Sequence, residues 1–496
     1  MYKKPNILLF FTDQQRGDTI NALGNEIMQT PVMDSLCREG TAFNRAYTPS
    51  PVCVSARCSM HYGKYPFNTG CYDNGFPMPH GKSPTFMKLL TEAGYYTHGV
   101  GKMHFSPEPK GLHGFCSRDE QSEGCDDTPG SYSRYLSEKG YDGYVFDHNG
   151  QRSEMYYIPQ VSQLPAKDHP TAWVADKSIE FLKNRDKSKP FMLMTSFFHP
   201  HPPFSPPTPW NKLYRTKDIP LPLVPDGYED MLTYMNHYQN RYKYRDRGTD
   251  VNLIRTIRAF YWACVSFVDY QMGRVIETLS NQGGLDDTLI MLTSDHGELL
   301  GDYNSVGKRS MLDSAARIPM VVRFPGRVKS GEVCAAPVSL VDVFPTFMDA
   351  AGISGAQTDG ESLIDIASGR KSREYVYSQF NTEEQGIYMV ASDTKKYIYS
   401  AADDKEYVFD KSISAAEDKN YAPAHPEKSA LKAQLINTLT GTQASEAALD
   451  GDDWKKYPKQ TIPSDDPDAG LLFQDDGRRR DAESKLPPGY TVQFPV

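Results

Sequence analysis

A chain of 496 residues can bury a large core without disulfide or metal staples, and a prior of about 150 residues per domain suggests roughly three domains. Lysine plus arginine total 54 and aspartate plus glutamate 63, a net charge of −9, which argues against a nucleic-acid binder but leaves room for a local basic pocket. Eight cysteines, none in a Cys-x-x-Cys pair, exclude a disulfide scaffold, a zinc ribbon and a thioredoxin-like site.

Met1 to Pro5 leads straight into the apolar block Ile7 to Phe11, which is too short and wrongly flanked for a secretory signal. No apolar run reaches the ~18–20 residues of a membrane helix. The expectation is a cytoplasmic protein without a membrane partner, or an exported one whose leader this sequence lacks. Asn6 to Phe11, followed by Thr12-Asp13, reads as a buried parallel strand ending in a functional loop. Ser83-Pro84 predicts a helix start, with Phe86, Leu89, Leu90 and Ala93 as its apolar face and Gly94 as its stop. Tyr95 to Val100 reads as the next strand. Residues 105–170 are rich in Gly, Asp, Ser and Tyr with weak periodicity, and read as an inserted lid or substrate loop. Ala175, Ile179 and Leu182 form a helical stripe before the strand-like Phe191 to Phe198. Ile254, Ile257, Tyr261, Cys264, Val268 and Val275 predict a long helix over Asn252 to Ser280, ended by Gly283-Gly284. Thr288 to Thr293 is a further buried strand. This alternation predicts an α/β fold, a large mostly parallel sheet flanked by helices.

Beyond residue 370 the pattern changes. Tyr375 to Tyr377, Tyr388 to Val390, Lys396 to Tyr399 and Tyr407 to Phe409 are short strand-like runs, with a helix near Ala430 to Leu439. The expected organisation is a catalytic domain over 1–370 and a smaller antiparallel α+β subdomain over 371–496, with an irregular tail from 451.

Ligands of open α/β sheets bind beyond the carboxyl ends of the strands. Asp13, Gln14 and Arg16 follow the first predicted strand, Lys102 and His104 the second, and His199 and His201 the third. Asp295 and His296 follow the fourth, with Lys308 a little further on. Each has a plainer reading taken singly. Asp13 suits a helix cap and Asp295 a turn with Gly297. The histidines suit satisfied structural positions, and the lysines a solvated surface. Four strand ends carrying such groups together point to a site. Asp13, Gln14, Asp295 and His296 offer mostly oxygen ligands, which suits Ca²⁺ or Mg²⁺, and the imidazole admits Mn²⁺. Cys53-Val54-Ser55-Ala56-Arg57 reads either as a buried cysteine before a helix or as a thiolate at a helix N-terminus. Neither reading explains Arg57, which one helical turn would bring back beside residue 53.

These residues resemble the type I, formylglycine-dependent sulfatases of the alkaline phosphatase superfamily. The family motif is Cys-x-Pro-x-Arg, and Ser55 stands here in the place of its proline. The resemblance continues in family order through Asp13-Gln14, Gly101-Lys102-Met103-His104, Pro200-His201-x-Pro203, Ser294-Asp295-His296-Gly297 and Gly307-Lys308. Glu406 to Asp410, followed by Glu417 to Asn420, is similar to the family's closing strand and turn. Gln14 and His296 replace the Asp and Asn of the best-known branch, and this pattern resembles choline sulfatases and phosphonate monoester hydrolases, as does Leu112-His113-Gly114-Phe115.

The resemblance implies an alkaline phosphatase-like fold and conversion of Cys53 to formylglycine by a maturation enzyme. It implies one divalent cation, Ca²⁺ first, held by Asp13, Gln14, Asp295, His296 and residue 53. One hydroxyl of the hydrated aldehyde would attack sulfur, and deprotonation of the second would expel sulfate. Arg57, Lys102 and Lys308 would neutralise the sulfate, His201 would protonate the leaving alcohol and His104 would steer the diol proton. Arg16 and His199 are candidate substrate contacts. The expected substrate is a sulfate ester, small molecule or oligosaccharide, with a sulfated carbohydrate preferred. Choline sulfate and phosphonate or phosphate esters are the alternatives on the same scaffold. A chain with unmodified Cys53 would instead be a sulfated-sugar-binding protein. Self-association stays open.

Overall fold

The apolar run near the N-terminus forms the strand around which the sheet is built. In the computed structural model, which describes residues 4–121, 130–141, 157–243 and 250–462, it becomes β1 (Asn6–Asp13). The further strands of this sheet are β2 (Thr41–Phe43), β3 (Tyr96–Gly101), β4 (Ser117–Glu120), β5 (Phe191–Pro200), β6 (Thr288–Ser294), β7 (Met320–Arg323) and β8 (Glu332–Cys334). Their order is β4-β3-β5-β1-β6-β7-β2-β8. β1 pairs in parallel with β5 on one side and β6 on the other, while β7 runs antiparallel to β6 and β2. Leu8 and Phe10 enter the core on one face of the sheet, and Ile7, Leu9 and Phe11 the core on the other. This two-sided burial is why β1 is continuously apolar rather than alternating.

Helices cover both faces. α1 (Cys53–Tyr62) and α2 (Phe86–Glu92) contribute Val54, Ala56, Phe86 and Leu90 to one core. α3 (Pro170–Asn184) and α4 (Val251–Asn281) contribute Val174, Leu182, Ile257 and Val268 to the other. The long predicted helix is α4, capped by Asp250, whose carboxylate accepts the amide hydrogens of Asn252 and Leu253. α2 starts later than Ser83-Pro84 predicts. The side chain of Thr85 accepts from the Lys88 amide, so Thr85 is the cap and Ser83 lies outside the helix.

The expected lid over 105–170 is in part body. β4 forms the edge of the main sheet, Phe105 and Phe115 are buried in one core, and Tyr132 and Leu136 in the other. A four-residue strand and a seven-residue helix are too short to show a hydrophobic period. Residues 122–129 and 142–156 of that segment lie outside the described residues.

β9 (Val376–Phe380), β10 (Ile387–Ala391), β11 (Lys395–Ser400) and β12 (Lys405–Asp410) form an antiparallel sheet in chain order. One face holds Tyr397 and Tyr399 against Leu431, Leu435 and Leu439 of α5 (Lys428–Leu439). The other face packs Met389, Ile398 and Tyr407 on Leu299, Leu312 and Ala315 of the loops that follow β6. The start of the expected irregular tail is ordered, with Trp454 stacked on Tyr399 at 4.4 Å, and its continuation beyond 462 lies outside the described residues. Among the described residues, no helix is long and apolar enough to cross a membrane.

A buried ionic cluster joins the two sheets. Lys396 on β11 reaches Asp313 and Glu417, and also donates to the Met311 carbonyl at 2.9 Å. Burial pushes the Asp313 carboxyl up, but Lys396, Lys411 and Arg317 outweigh it and hold the group well below its ordinary range. A depressed folded value contributes stability above the ordinary aspartate value of about 3.9, and that contribution is lost as pH falls through the folded value. Lys396→Met leaves two carboxylates without this partner and is expected to remove about 3–5 kcal/mol of stability near neutral pH. Urea unfolding read from the C-terminal tyrosines checks this, and the gap between variant and parent should shrink in acid.

Candidate active site

The carboxyl ends of β1, β3, β5 and β6 meet at one place, and the N-terminus of α1 points into it. Asp13 is the last residue of β1, and Asp295-His296 directly follow β6. Lys102 follows β3, whose last residue, Gly101, has φ 91°. A Cβ at Gly101 would lie 2.0 Å from the Ser196 carbonyl oxygen, so only glycine lets β3 end against β5. Asp13, Cys53, Asp295 and His296 are buried, with one ligand atom from each inside a 4.8 Å group, so they could hold a metal ion.

Cys53 opens α1 with its Sγ 2.8 Å from Lys308 Nζ, 3.3 Å from His296 Nε2 and 3.8 Å from Asp13 Oδ1. Burial raises the thiol's pKa, yet Lys308, Lys102, His296 and a hydrogen bond with His104 outweigh it and hold the value well below ordinary. Ser55 turns its hydroxyl to the Cys71 carbonyl at 2.5 Å. Arg57, one turn along and fully buried, forks between Asp13 Oδ2 at 2.9 Å and Asp295 Oδ2 at 3.1 Å. It also donates to the Lys102 carbonyl at 2.6 Å. Arg57 therefore stands against the carboxylates rather than open to an anion. Lys102 Nζ lies 2.7 Å from Asp13 Oδ2. Burial raises Asp13, but Lys102, His201 and Arg57 bring it well below the usual carboxylate range despite the nearby Cys53. Burial and the Asp13 charge push Asp295 up.

Gln14 sits at φ 68°, a left-handed conformation that costs a non-glycine residue about 1 kcal/mol or more. Two contacts hold it there: its N–H donates to Asp295 Oδ1 at 2.9 Å, and its carbonyl accepts from Tyr261 of α4 at 2.8 Å. Its side-chain oxygen accepts from Lys308 Nζ at 3.0 Å. His296 Nδ1 donates to the Gly297 carbonyl at 3.0 Å, which turns Nε2 toward Cys53, and Asp295 and Cys53 outweigh its burial and raise its pKa. His201 Nδ1 donates to the Pro202 carbonyl at 2.7 Å, and its Nε2 lies 3.1 Å from Lys308 Nζ. His104, half-buried at φ 56°, completes the ring around the thiol.

Two expected substrate contacts are placed differently. Arg16 is not brought into the cluster: its guanidinium pairs with Asp18 at 2.6 Å and Asp302 at 2.8 Å and donates to the carbonyls of Glu298 and Leu299. His199 is buried beside α3, with Nδ1 3.2 Å from Thr171 Oγ1 and its ring 4.8 Å from His169. Sequence reasoning missed Ser196, Tyr261 and the fully buried Glu298. Only Glu298 carried a signal, an acidic residue three places after Asp295.

The sulfatase family's sequence model matches residues 5–353, and that of the N-sulphoglucosamine sulphohydrolase C-terminal region matches residues 301–445. An arylsulfatase of Clostridium perfringens is 31% identical over 92% of this chain and 99% of its own. A choline-sulfatase of Rhizobium meliloti is 31% identical over 84% of this chain and 82% of its own. Among solved structures, the phosphonate monoester hydrolase of Agrobacterium radiobacter superposes with a TM-score of 0.78 at 24% identity, covering 89% of this chain and 97% of its own.

Arg57→Ala would strand two buried carboxylates. It is expected to lower stability by about 3–5 kcal/mol, with Arg57→Lys in between because an ammonium cannot fork. Denaturant unfolding of the full chain measures both.

Proposed function

Because this chain belongs to the sulfatase family and is a sulfuric ester hydrolase, we propose that it removes sulfate from a sulfated carbohydrate, using formylglycine made from Cys53 and one divalent cation. The observation that carries this reading is the Cys53 side chain at the start of α1, ringed by Lys308, His296 and Asp13. The carbohydrate preference draws on the match of residues 301–445 to a sulphoglucosamine enzyme's C-terminal region.

The donor set fits a hard divalent cation. Asp13 and Asp295 supply carboxylate oxygens, Gln14 an amide oxygen and His296 an Nε2 that its Nδ1 bond to Gly297 turns toward residue 53. Asp295, pushed up by its own burial and by Asp13, gains from added positive charge. Ca²⁺ suits the oxygen-rich set best, with Mg²⁺ and Mn²⁺ next. When bound, the ion supplies Lewis acidity to the nucleophilic hydroxyl of residue 53. Formylglycine hydrate supplies two hydroxyls on one carbon, one to take the sulfuryl group and one to release it.

The chain's own groups do the rest. Lys308, in contact with residue 53, and Lys102 beside Asp13 neutralise the sulfate oxygens. Arg57 acts behind them by holding the two carboxylates in register. His104, hydrogen-bonded to residue 53, takes the proton of the second hydroxyl. His201, its Nδ1 fixed on Pro202, exchanges a proton with the leaving oxygen through Nε2.

The direct test is paired. The mass of the peptide carrying residue 53, from protein made in its native host, should correspond to aldehyde or hydrate, and an unmodified thiol rejects the mechanism. Turnover of aryl sulfate should exceed that of aryl phosphonate diester; the reverse preference would assign the chain to the phosphonate branch. His201→Ala should lower kcat/KM about 10²–10⁴-fold on an alkyl sulfate and far less on 4-nitrophenyl sulfate, whose leaving group needs no proton. Equal losses on both would remove His201 from the acid role.

A further inference from the structure

We propose that Glu298 is a positioning residue that fixes which end of the Gln14 amide faces the cation, and so makes Gln14 a ligand. The inference rests on the metal reading of the preceding section. Glu298 is fully buried. Its carboxylate joins residues far apart in sequence. Oε2 accepts from Gln14 Nε2 and, at 3.4 Å, from the Tyr157 hydroxyl. Oε1 accepts from the amides of Gly307 and, at 3.1 Å, Leu300.

The orientation of a glutamine amide is set by its neighbours, because its two ends differ only in donating or accepting. Here both neighbours are unambiguous. A carboxylate only accepts, so Gln14 Nε2 must face Glu298. An ammonium only donates, so Gln14 Oε1 must face Lys308, at 3.0 Å. Oε1 is thereby turned toward the side where Cys53 lies, 2.8 Å from the same ammonium. The opposite rotamer would present an NH₂ group, which has no lone pair for a cation. The other oxygen of Glu298 holds Gly307, the residue before Lys308, so one carboxylate sets both the ligand oxygen and the loop that carries the lysine.

Glu298→Gln tests this with little change of shape. The Gly307 and Leu300 amides need an acceptor, so the new side chain turns Oε1 to them and its NH₂ to Gln14. Gln14 must then flip and offer its own NH₂ to the metal position. In the double variant Gln14→Glu with Glu298→Gln, Glu at position 14 accepts from that NH₂ with one oxygen and keeps the other for the cation. The full chain, freed of metal with a chelator, is titrated with Ca²⁺ alone by calorimetry, and each variant's fold is checked by circular dichroism. Glu298→Gln is expected to weaken Ca²⁺ binding on the order of 10–100-fold, and the double variant to recover most of it. A folded Glu298→Gln protein that binds Ca²⁺ as the parent does overturns the inference, as does a double variant that binds no better than the single one. Failure of the parent to take up Ca²⁺, Mg²⁺ or Mn²⁺ would overturn the metal reading itself, a result visible before any variant is compared.

Discussion

A single buried guanidinium carries the geometry of this site. Arg57 is fully enclosed, and so are both carboxylates it forks between, Asp13 and Asp295. A charge without a partner in such surroundings costs several kcal/mol, so none of the three groups is tolerable there alone. Together they tie the first turn of α1 to the ends of β1 and β6. The same guanidinium donates to the Lys102 carbonyl beyond β3, and to Ser196 of β5 at 3.3 Å. Three strand ends, the middle of β5 and the helix that bears Cys53 are thus registered on one side chain. Lysine could not do this, since only a planar fork presents several donors in fixed directions.

Two ammonium groups stand beside Arg57, Lys102 on Asp13 at 2.7 Å and Lys308 on Cys53 at 2.8 Å. In a chain of net charge −9 the positive charge is thus concentrated locally, on one guanidinium and two ammonium groups around residue 53. The loops that deliver these groups are strained. Gln14, His104 and Arg309 all have positive φ, and each is adjacent to or part of the site. Backbone of this kind persists only where surrounding bonds over-determine it. Gln14 is held by Asp295 and Tyr261, and Arg309 by its N–H, which donates to the Pro51 carbonyl at 2.9 Å.

What could be read in the sequence was what lies in runs. Continuous apolar stretches located β1, β5 and β6, helical spacing located α4, and the polar residues just after the strands named most of the cluster. Groups whose role depends on a distant partner were not legible. Arg16, two places after Gln14, has the position of an anion binder, but Asp302, far along the chain, neutralises it. Tyr261 looked like one of several apolar positions on α4, and nothing local shows that its hydroxyl meets Gln14. Glu298 follows Asp295 by three residues and faces the site only because the loop closes, with the Leu299 amide on the Gly307 carbonyl at 2.9 Å. Arg57 could be placed beside Cys53 from helical spacing, but not turned: its direction is fixed by two aspartates from strands far apart in sequence.

The same non-local logic makes the C-terminal sheet part of the site's support. Gln379 at the end of β9 donates its amide to the Pro49 carbonyl, and Asn381 to that of Tyr72, both at 2.9 Å. Pro49 belongs to the loop leading into Cys53. Tyr72 is two residues from Asn74, whose Oδ1 takes the Val54 amide at the start of α1 at 3.0 Å. On the far side, Glu417 accepts from the Asp313 amide, and the Ser314 and Ala315 carbonyls accept from Glu298 and Gly297 at 2.8 and 2.7 Å. The antiparallel sheet thus braces the segment before Cys53 and the segment behind Asp295 and His296. Removing it would leave the main sheet its own apolar cores, but would free the two loops whose relative placement sets the distance between residue 53 and His296.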